Sequence, residues 1–286
     1  YLAGLFTVFI IVIPVIVLYS SGYRLGSGLS LVKTGGIYLH NEKADAFARL
    51  NDKVKKQAGI LEKNMLIRNL RPGRYYLQVE KEGFRTWEKY ITVHEQKVEV
   101  CYPLLIPRKL DIEPVPKYNV TRAAGKGQKA LRKINDEFMD GVELIKNRNK
   151  PSRSVIPGWQ DSDVKKLKLG ADRRLRRKVF LFREKNRIYV RWTGSEEKRP
   201  FFIDSKGRRL VYAPDRKILS FGFFPDLDNA ILVLLDDGTL YAVEIDTRFD
   251  VQNSYRLVKN CSKFAVSDEM LYYVSGGNLY RIDFGE

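Results

Sequence analysis

The densest concentration of chemically active side chains in this sequence is cationic. Between Lys165 and Arg187 stand eleven Lys and Arg residues against only Asp172 and Glu184. They include Lys165, Lys166 and Lys168, followed by the run Arg173, Arg174, Arg176, Arg177 and Lys178. Fixed positive charge at that density binds anions rather than making bonds, and three partners suit it: nucleic acid, anionic lipid headgroups or an anionic wall polymer. A solvated hairpin face that keeps the chain soluble is the competing explanation. The whole chain carries +17, yet residues 200–286 are slightly acidic, so the basicity is regional.

Side chains for catalysis are scarce. There are two histidines, His40 and His94, and two cysteines, Cys101 and Cys261, too few for a disulfide framework or a Cys-rich zinc module. Whether the two cysteines pair is open. Asp226 and Asp228 are spaced to share a hard cation but lack the rest of a calcium loop, and Asp236-Asp237-Gly238 reads as hairpin turn chemistry. Gly125-Lys126-Gly127 lacks the first glycine and the Ser or Thr of a phosphate loop, and no Gly-x-Ser-x-Gly elbow occurs. The expectation is a non-enzyme with no catalytic, cofactor-binding or metal residues and no cofactor. A propeller-type hydrolase or lyase is a third, weaker reading. Trp87 is the one aromatic candidate for binding, by stacking on a sugar ring; a core position is its simpler reading.

The elements that must present these residues are mostly short. Residues 1–23 are uncharged, and Tyr1 to Tyr19 is nearly all apolar. Nineteen residues at 1.5 Å rise extend about 28 Å, which predicts a transmembrane helix with Tyr19 and Tyr23 at its interface. A buried core helix is the alternative. The chain starts without Met, which suggests trimming, and the few basic residues after the span, Arg24 and Lys33, leave orientation undecided. Residues 24–34 form a juxtamembrane linker. From Gly35, six β-rich runs follow: Ile37 to His40, Ala46 to Asn51, Met65 to Arg68, Tyr75 to Glu80, Phe84 to Val93 and Lys97 to Leu104. Lys81-Glu82-Gly83 turns a hairpin between two of them. Short strands at that density predict a small antiparallel β-sandwich over 35–106.

The string IRNLRPGRYYLQVEKEGFRTWEKYITV, residues 67–93, resembles the second half of a PEGA domain, with its Asn-Leu, Pro-Gly, Tyr and Lys-Glu-Gly-aromatic series. GGIYLHNEKADAFARLNDK stands at the eponymous motif, with Asn41 and Lys43 where Pro and Gly are usual. Gly22-Tyr23-Arg24-Leu25 resembles the junction after the membrane helix in anchored bacterial members. The resemblance implies a bacterial envelope protein with its soluble part outside the membrane and a domain that binds or spaces without catalysis.

Prolines 103, 107, 114 and 116 mark the end of that domain, and 107–160 reads as a linker, a degenerate blade or, over 129–146, a helix. Residues 161–286 then repeat. VFLFREKNRIYVRWT from Val179, ILVLLDDGTLYAVEI from Ile231 and MLYYVSGGNLYRIDF from Met270 align without gaps, with Ile188-Tyr189, Leu240-Tyr241 and Leu279-Tyr280 in register. Each is strand, turn, strand, which resembles blades of WD-repeat or TolB-like β-propellers. Three copies fall short of a closed propeller. A degenerate blade, a last sheet completed by an earlier strand, or an open stack of sheets would each resolve the count. The repeated tyrosines read as blade packing before they read as a ligand ring.

The expected protein is therefore mainly β: a single-pass, membrane-anchored, non-catalytic envelope binding or scaffold protein. Its soluble domains are expected outside the cytoplasm, engaging an anionic polymer, lipid or protein partner. A cytoplasm-facing protein binding nucleic acid or inner-leaflet lipid is the alternative; nucleic acid is not expected for an extracytoplasmic chain.

Overall fold

The computed structural model describes residues 2–25, 30–41, 43, 45–57, 64–119, 173–203, 207–267 and 270–284. The predicted helix at 129–146 and Lys165, Lys166 and Lys168 lie outside these residues. The chain divides into two compact units, Tyr1–Leu105 with Phe249–Val251, and Ile106–Arg248 with Gln252–Glu286.

The first unit begins with helix α1, Leu2–Ser20. Its described side chains at Phe6 and from Val8 to Tyr19 are apolar or aromatic and almost all exposed. Among the described residues no helix is long and apolar enough to cross a membrane. Gly22, at φ +84°, turns the chain out of α1, and Thr34 donates to its carbonyl through both N–H and Oγ1 at 2.9 Å. Strands β1 (Tyr23–Leu25) and β2 (Leu31–Lys33) form a two-stranded ribbon in the interval read as linker. Arg24 donates to the Tyr19 carbonyl at 2.8 Å and lies 3.6 Å over the Tyr19 ring.

Seven strands follow in this unit: β3 (Gly35–Leu39), β4 (Phe47–Leu50), β5 (Lys53–Gln57), β6 (Met65–Leu70), β7 (Gly73–Glu80), β8 (Trp87–Val93) and β9 (Val98–Cys101). They make a three-stranded sheet, β6-β3-β9, and a four-stranded one, β5-β4-β7-β8. The six expected runs are all strands; β5 is additional. The expected purely antiparallel arrangement needs correction, because β3 pairs β9 in parallel. Gly35 admits the chain that enters β9, since a Cβ there would stand 2.3 Å from the His94 carbonyl oxygen and 2.8 Å from that of Lys97; a Cβ on Gly36 would stand 2.9 Å from the Ile67 carbonyl oxygen of β6. Alternation along β8 buries Trp87, Lys89, Ile91 and Val93 and turns Glu88, Tyr90 and Thr92 outward. Because β8 lies against β3 and β9, these side chains share a core with Ile37, Leu39, Leu77, Val79 and Cys101. Asn41 closes the turn after β3 by itself, its Nδ2 donating to Lys43 O at 2.5 Å.

The second unit contains three four-stranded antiparallel sheets. The first holds β11 (Arg173–Arg176), β12 (Val179–Glu184), β13 (Arg187–Trp192) and β14 (Arg209–Tyr212). The middle one holds β15 (Ile218–Phe223), β16 (Ala230–Leu235), β17 (Leu240–Glu244) and β18 (Ser254–Val258). The last joins β19 (Lys263–Ser267), β20 (Met270–Ser275) and β21 (Asn278–Asp283) to β10 (Asp111–Asn119), which pairs with β21. An earlier strand therefore completes the last sheet, inside the interval expected to be linker, blade or helix. Pro114 and Pro116 fit there because β10 is an edge strand, where a missing N–H costs little.

The aligned repeats are the central hairpins of the three sheets: β12–β13, β16–β17 and β20–β21. Strands β11 and β15 approach each other, as do β15 and β19. All six residues of β16, AILVLL, are buried, as expected of a strand covered on both faces. Strand β12, VFLFRE, buries Val179 and Leu181 and leaves Phe180 and Phe182 half-buried, so among the described residues the second face of the first sheet is only partly covered.

Candidate functional site

The period of two in a strand divides the basic run between two faces of the first sheet. On the covered face, Arg174 lies 5.5 Å over the Phe221 ring, and Arg176 donates to the Phe224 and Leu227 carbonyls at 2.6 and 3.2 Å. Arg183 donates to the Ile218 carbonyl. All three acceptors belong to the middle sheet or its loops. Burial lowers the pKa of Arg176 from the ordinary guanidinium value. These arginines hold two sheets together, so Arg174 and Arg176 are structural residues and not the free binding cations expected of the run.

Arg177 and Lys178 occupy the tight turn between β11 and β12, at φ +42° and +73°. Arg177 reaches Asp228 at 3.3 Å. The Pro225-Asp226-Leu227-Asp228 loop is thus engaged by arginines, with its Phe224 and Leu227 carbonyls taken by Arg176. Among the described residues no group of three or more His, Cys, Asp or Glu is placed to hold a metal. His40 and His94 are exposed just past the ends of β3 and β8. Cys101 and Cys261 are buried and form no disulfide, and burial pushes the Cys261 thiol up to about 12. Trp87 is fully buried, which closes its indole face to a sugar.

The partly covered face of the first sheet assembles a constellation that the residue pattern alone did not single out. Cross-strand register sets Phe180 opposite Arg191, Phe182 opposite Tyr189, and Tyr189 opposite Leu210. The Phe180 and Phe182 rings stack at 5.5 Å with 23° between planes, and Phe182 and Tyr189 at 5.5 Å with 19°. Arg191 lies 5.5 Å over Phe180 and Arg208 lies 5.0 Å over Tyr189, so a three-ring ladder carries a guanidinium at each end. Leu175 and Leu210 flank it, 51% and 41% exposed. Arg208 pairs with Glu184 at 2.5 Å, whereas the buried Nε of Arg191 has no hydrogen-bond partner.

The ladder runs into an open groove of about 620 Å³ at the β12–β13 turn, lined by Glu184, Lys185, Arg187, Tyr189, Arg208 and Asp215 among others. Asn186 fixes its wall, donating to the Pro214 and Arg216 carbonyls at 3.0 and 2.8 Å and accepting from Ile218 N–H at 2.8 Å. Alternation in VFLFRE and RIYVRW was the available signal, since aromatics and arginines occupy every second position opposite the apolar set.

Comparison with known proteins reaches parts of the chain only. No curated protein matches it. Among solved structures, a chain of the S. cerevisiae Dbp5 complex with Nup159, Gle1, IP6 and ADP is 14% identical, covering 36% of this chain and 24% of that one at a TM-score of 0.27. The N-terminal domain of Nup159 is 14% identical, covering 38% and 28% at a TM-score of 0.25. The chain spans about a quarter of the length of these structures. One family matches in sequence: residues 63–106, which hold β6 to β9 and the Gly83 hairpin, match the PEGA domain.

Proposed function

We propose that this protein is a membrane-anchored, non-catalytic binding or scaffold protein of the cell envelope. In this reading α1 is its transmembrane anchor, the soluble part lies outside the cytoplasm, and the partner is anionic. The observation that carries the binding role is the partly covered face of the first sheet, where Phe180, Phe182 and Tyr189 stack in a row with Arg191 and Arg208 at its two ends. An apolar face bordered by oriented cations is suited to binding. Support for the anchor comes from the uncharged residues 1–23, the exposed apolar side chains of α1, and Arg24 folded onto Tyr19 at the helix end.

The three sheets of the second unit act as blades of a β-propeller. Their sequential four-stranded order, the approach of their first strands, and completion of the last sheet by β10 support that reading. Protease treatment of intact cells tests the orientation, with digestion of residues 24–286 from outside as the expected result. Binding of the full chain in detergent to isolated envelopes tests the role. It should weaken steeply between 50 and 500 mM salt, and salt-independent or undetectable binding rejects the electrostatic partner.

A further inference from the structure

We infer that the β1–β2 ribbon is a second membrane contact, seated among the headgroups of a bilayer that carries anionic lipid. This inference rests on the reading of α1 as the anchor and extends the lipid contact beyond the helix. The end of α1 has its carbonyls met from within the chain. Val17 O accepts from the Ser21 N–H at 2.9 Å and from Ser20 Oγ at 3.0 Å, and Tyr19 O accepts from the Gly22 N–H at 3.2 Å and from Arg24 at 2.8 Å. Backbone groups paired in this way can stand at a lipid boundary where water is scarce.

The ribbon then carries an apolar pair outward. Its register sets Tyr23 opposite Lys33, Arg24 opposite Val32 and Leu25 opposite Leu31, so the leucine pair is the one furthest from Gly22 and Thr34. With a strand period of two, Tyr23, Leu25, Leu31 and Lys33 share one face. Leu25 and Leu31 are each 54% exposed. At the base of that face Lys33 lies 5.2 Å over the Tyr23 ring, while Arg24, on the opposite face, folds back over Tyr19. A face with leucines at its tip and a tyrosine and a lysine at its base has the composition of an interfacial element. Its apolar side chains enter the acyl boundary while its cations stay at the headgroups.

Charge selects the kind of surface. The sequence up to Asn41 contains Arg24 and Lys33 and no Asp or Glu. Both cations belong to the ribbon, so it meets anionic headgroups without a carboxylate to repel them. Cations and leucines together fit a lipid surface better than either does alone, since each group has its own layer to enter.

The test is fluorescence of the full chain reconstituted in vesicles of phosphatidylcholine with about one quarter phosphatidylglycerol. The fluorophore NBD is attached at a single introduced cysteine: Ile10→Cys, Leu25→Cys, Leu31→Cys or Thr92→Cys. All but Thr92, an exposed position on β8, lie on α1 or the ribbon, and all four are exposed, so folding is not at stake. Cys101 and Cys261 are buried, and the chain without an introduced cysteine is the blank. Lipids with a doxyl quencher near the headgroup or near the chain end report depth. The labels at Leu25 and Leu31 should be quenched about twofold more by the shallow quencher than by the deep one, the label at Ile10 in the reverse order, and that at Thr92 by neither. In phosphatidylcholine alone, or with Lys33→Gln added, shallow quenching at Leu31 should fall by about half. Labels at Leu25 and Leu31 as unquenched as the one at Thr92, the result if another protein covers the leucines, would overturn the inference while a deep Ile10 label keeps the anchor. Equal quenching with and without phosphatidylglycerol rejects the anionic headgroup. An unquenched Ile10 label rejects the anchor reading and the inference with it.

Discussion

Arg176 donates to the carbonyl of Phe224 at 2.6 Å, joining the first strand of one sheet to the loop that follows β15 in the next. The same guanidinium lies 5.0 Å over Phe223 and also reaches Leu227. A charge-assisted hydrogen bond to a partly buried carbonyl contributes roughly 1.5–3 kcal/mol, and its loss leaves two acceptors unmet. Arg176→Gln should therefore lower stability by about 2–3 kcal/mol in urea unfolding. Arg177→Gln, one residue later in an exposed pair with Asp228, should change it by less than about 0.5 kcal/mol. Equal effects from the two would show that strand alternation does not govern the run.

Trp87 supplies a second separation of core from site. It is fully buried beside Lys89, whose Nζ lies 5.7 Å from its ring. Trp87→Ala should cost about 3–5 kcal/mol. Trp87→Phe should keep envelope binding at the wild-type level, whereas a stacking role would weaken binding with stability little changed.

High pH should destabilise the protein through groups that retain their protons when folded. The Tyr76 hydroxyl donates to Glu88 Oε2, and this bond with burial raises its pKa from 10.0 to about 12. Burial does the same to Cys261, from 9.0 to about 12. Burial also shifts Tyr212 and Tyr273 upward. The unfolded chain releases these protons first, so stability is full below about pH 9 and declines from there toward pH 12. Urea midpoints at pH 8 and 10.5 measure this, and Cys261→Ala should flatten the decline. A midpoint that does not fall between these values excludes it. Native Cys261 should also resist alkylation at pH 8, where a thiol of ordinary pKa reacts.

Prolines in β10 carry a fourth prediction. As an edge strand, β10 presents backbone groups to which another chain could pair, and proline blocks such pairing. Replacing Pro114 and Pro116 together by Thr should leave the fold intact and raise concentration-dependent self-association, measured by light scattering. A monodisperse variant up to high concentration would assign the prolines another role.

How much of this was legible in the sequence differs from element to element. The Gly83 hairpin and the three repeated hairpins follow from turn residues and period-two alternation, both local properties. Their exact register does not. The ungapped alignment implies equal turns, but Glu184 opposes Arg187 and Ser275 opposes Asn278 across two-residue turns, whereas the Asp236-Asp237-Gly238 turn is longer and Leu234 opposes Leu240. Strand β10 was illegible because its prolines signal a loop, and only its pairing with a distant strand makes it an edge. The parallel partner of β3 is likewise a long-range choice. In the basic run, charge density was plain, but which cations face a neighbouring sheet depends on a register that no count of charges contains. The aromatic ladder was hidden for the same reason, since Phe182 and Tyr189 become neighbours only across the hairpin.

The pairing of β10 with β21 also sets a time during synthesis. Residues 111–119 leave the ribosome more than 150 residues before their partner at 278–283. At roughly 5–20 residues per second, β10 waits about 10–30 s with no strand to pair, while the sheets between them are being made. Folding of the second unit can finish only after nearly the whole chain has emerged, and a chain stalled before residue 278 would display two unpaired sheet edges at once.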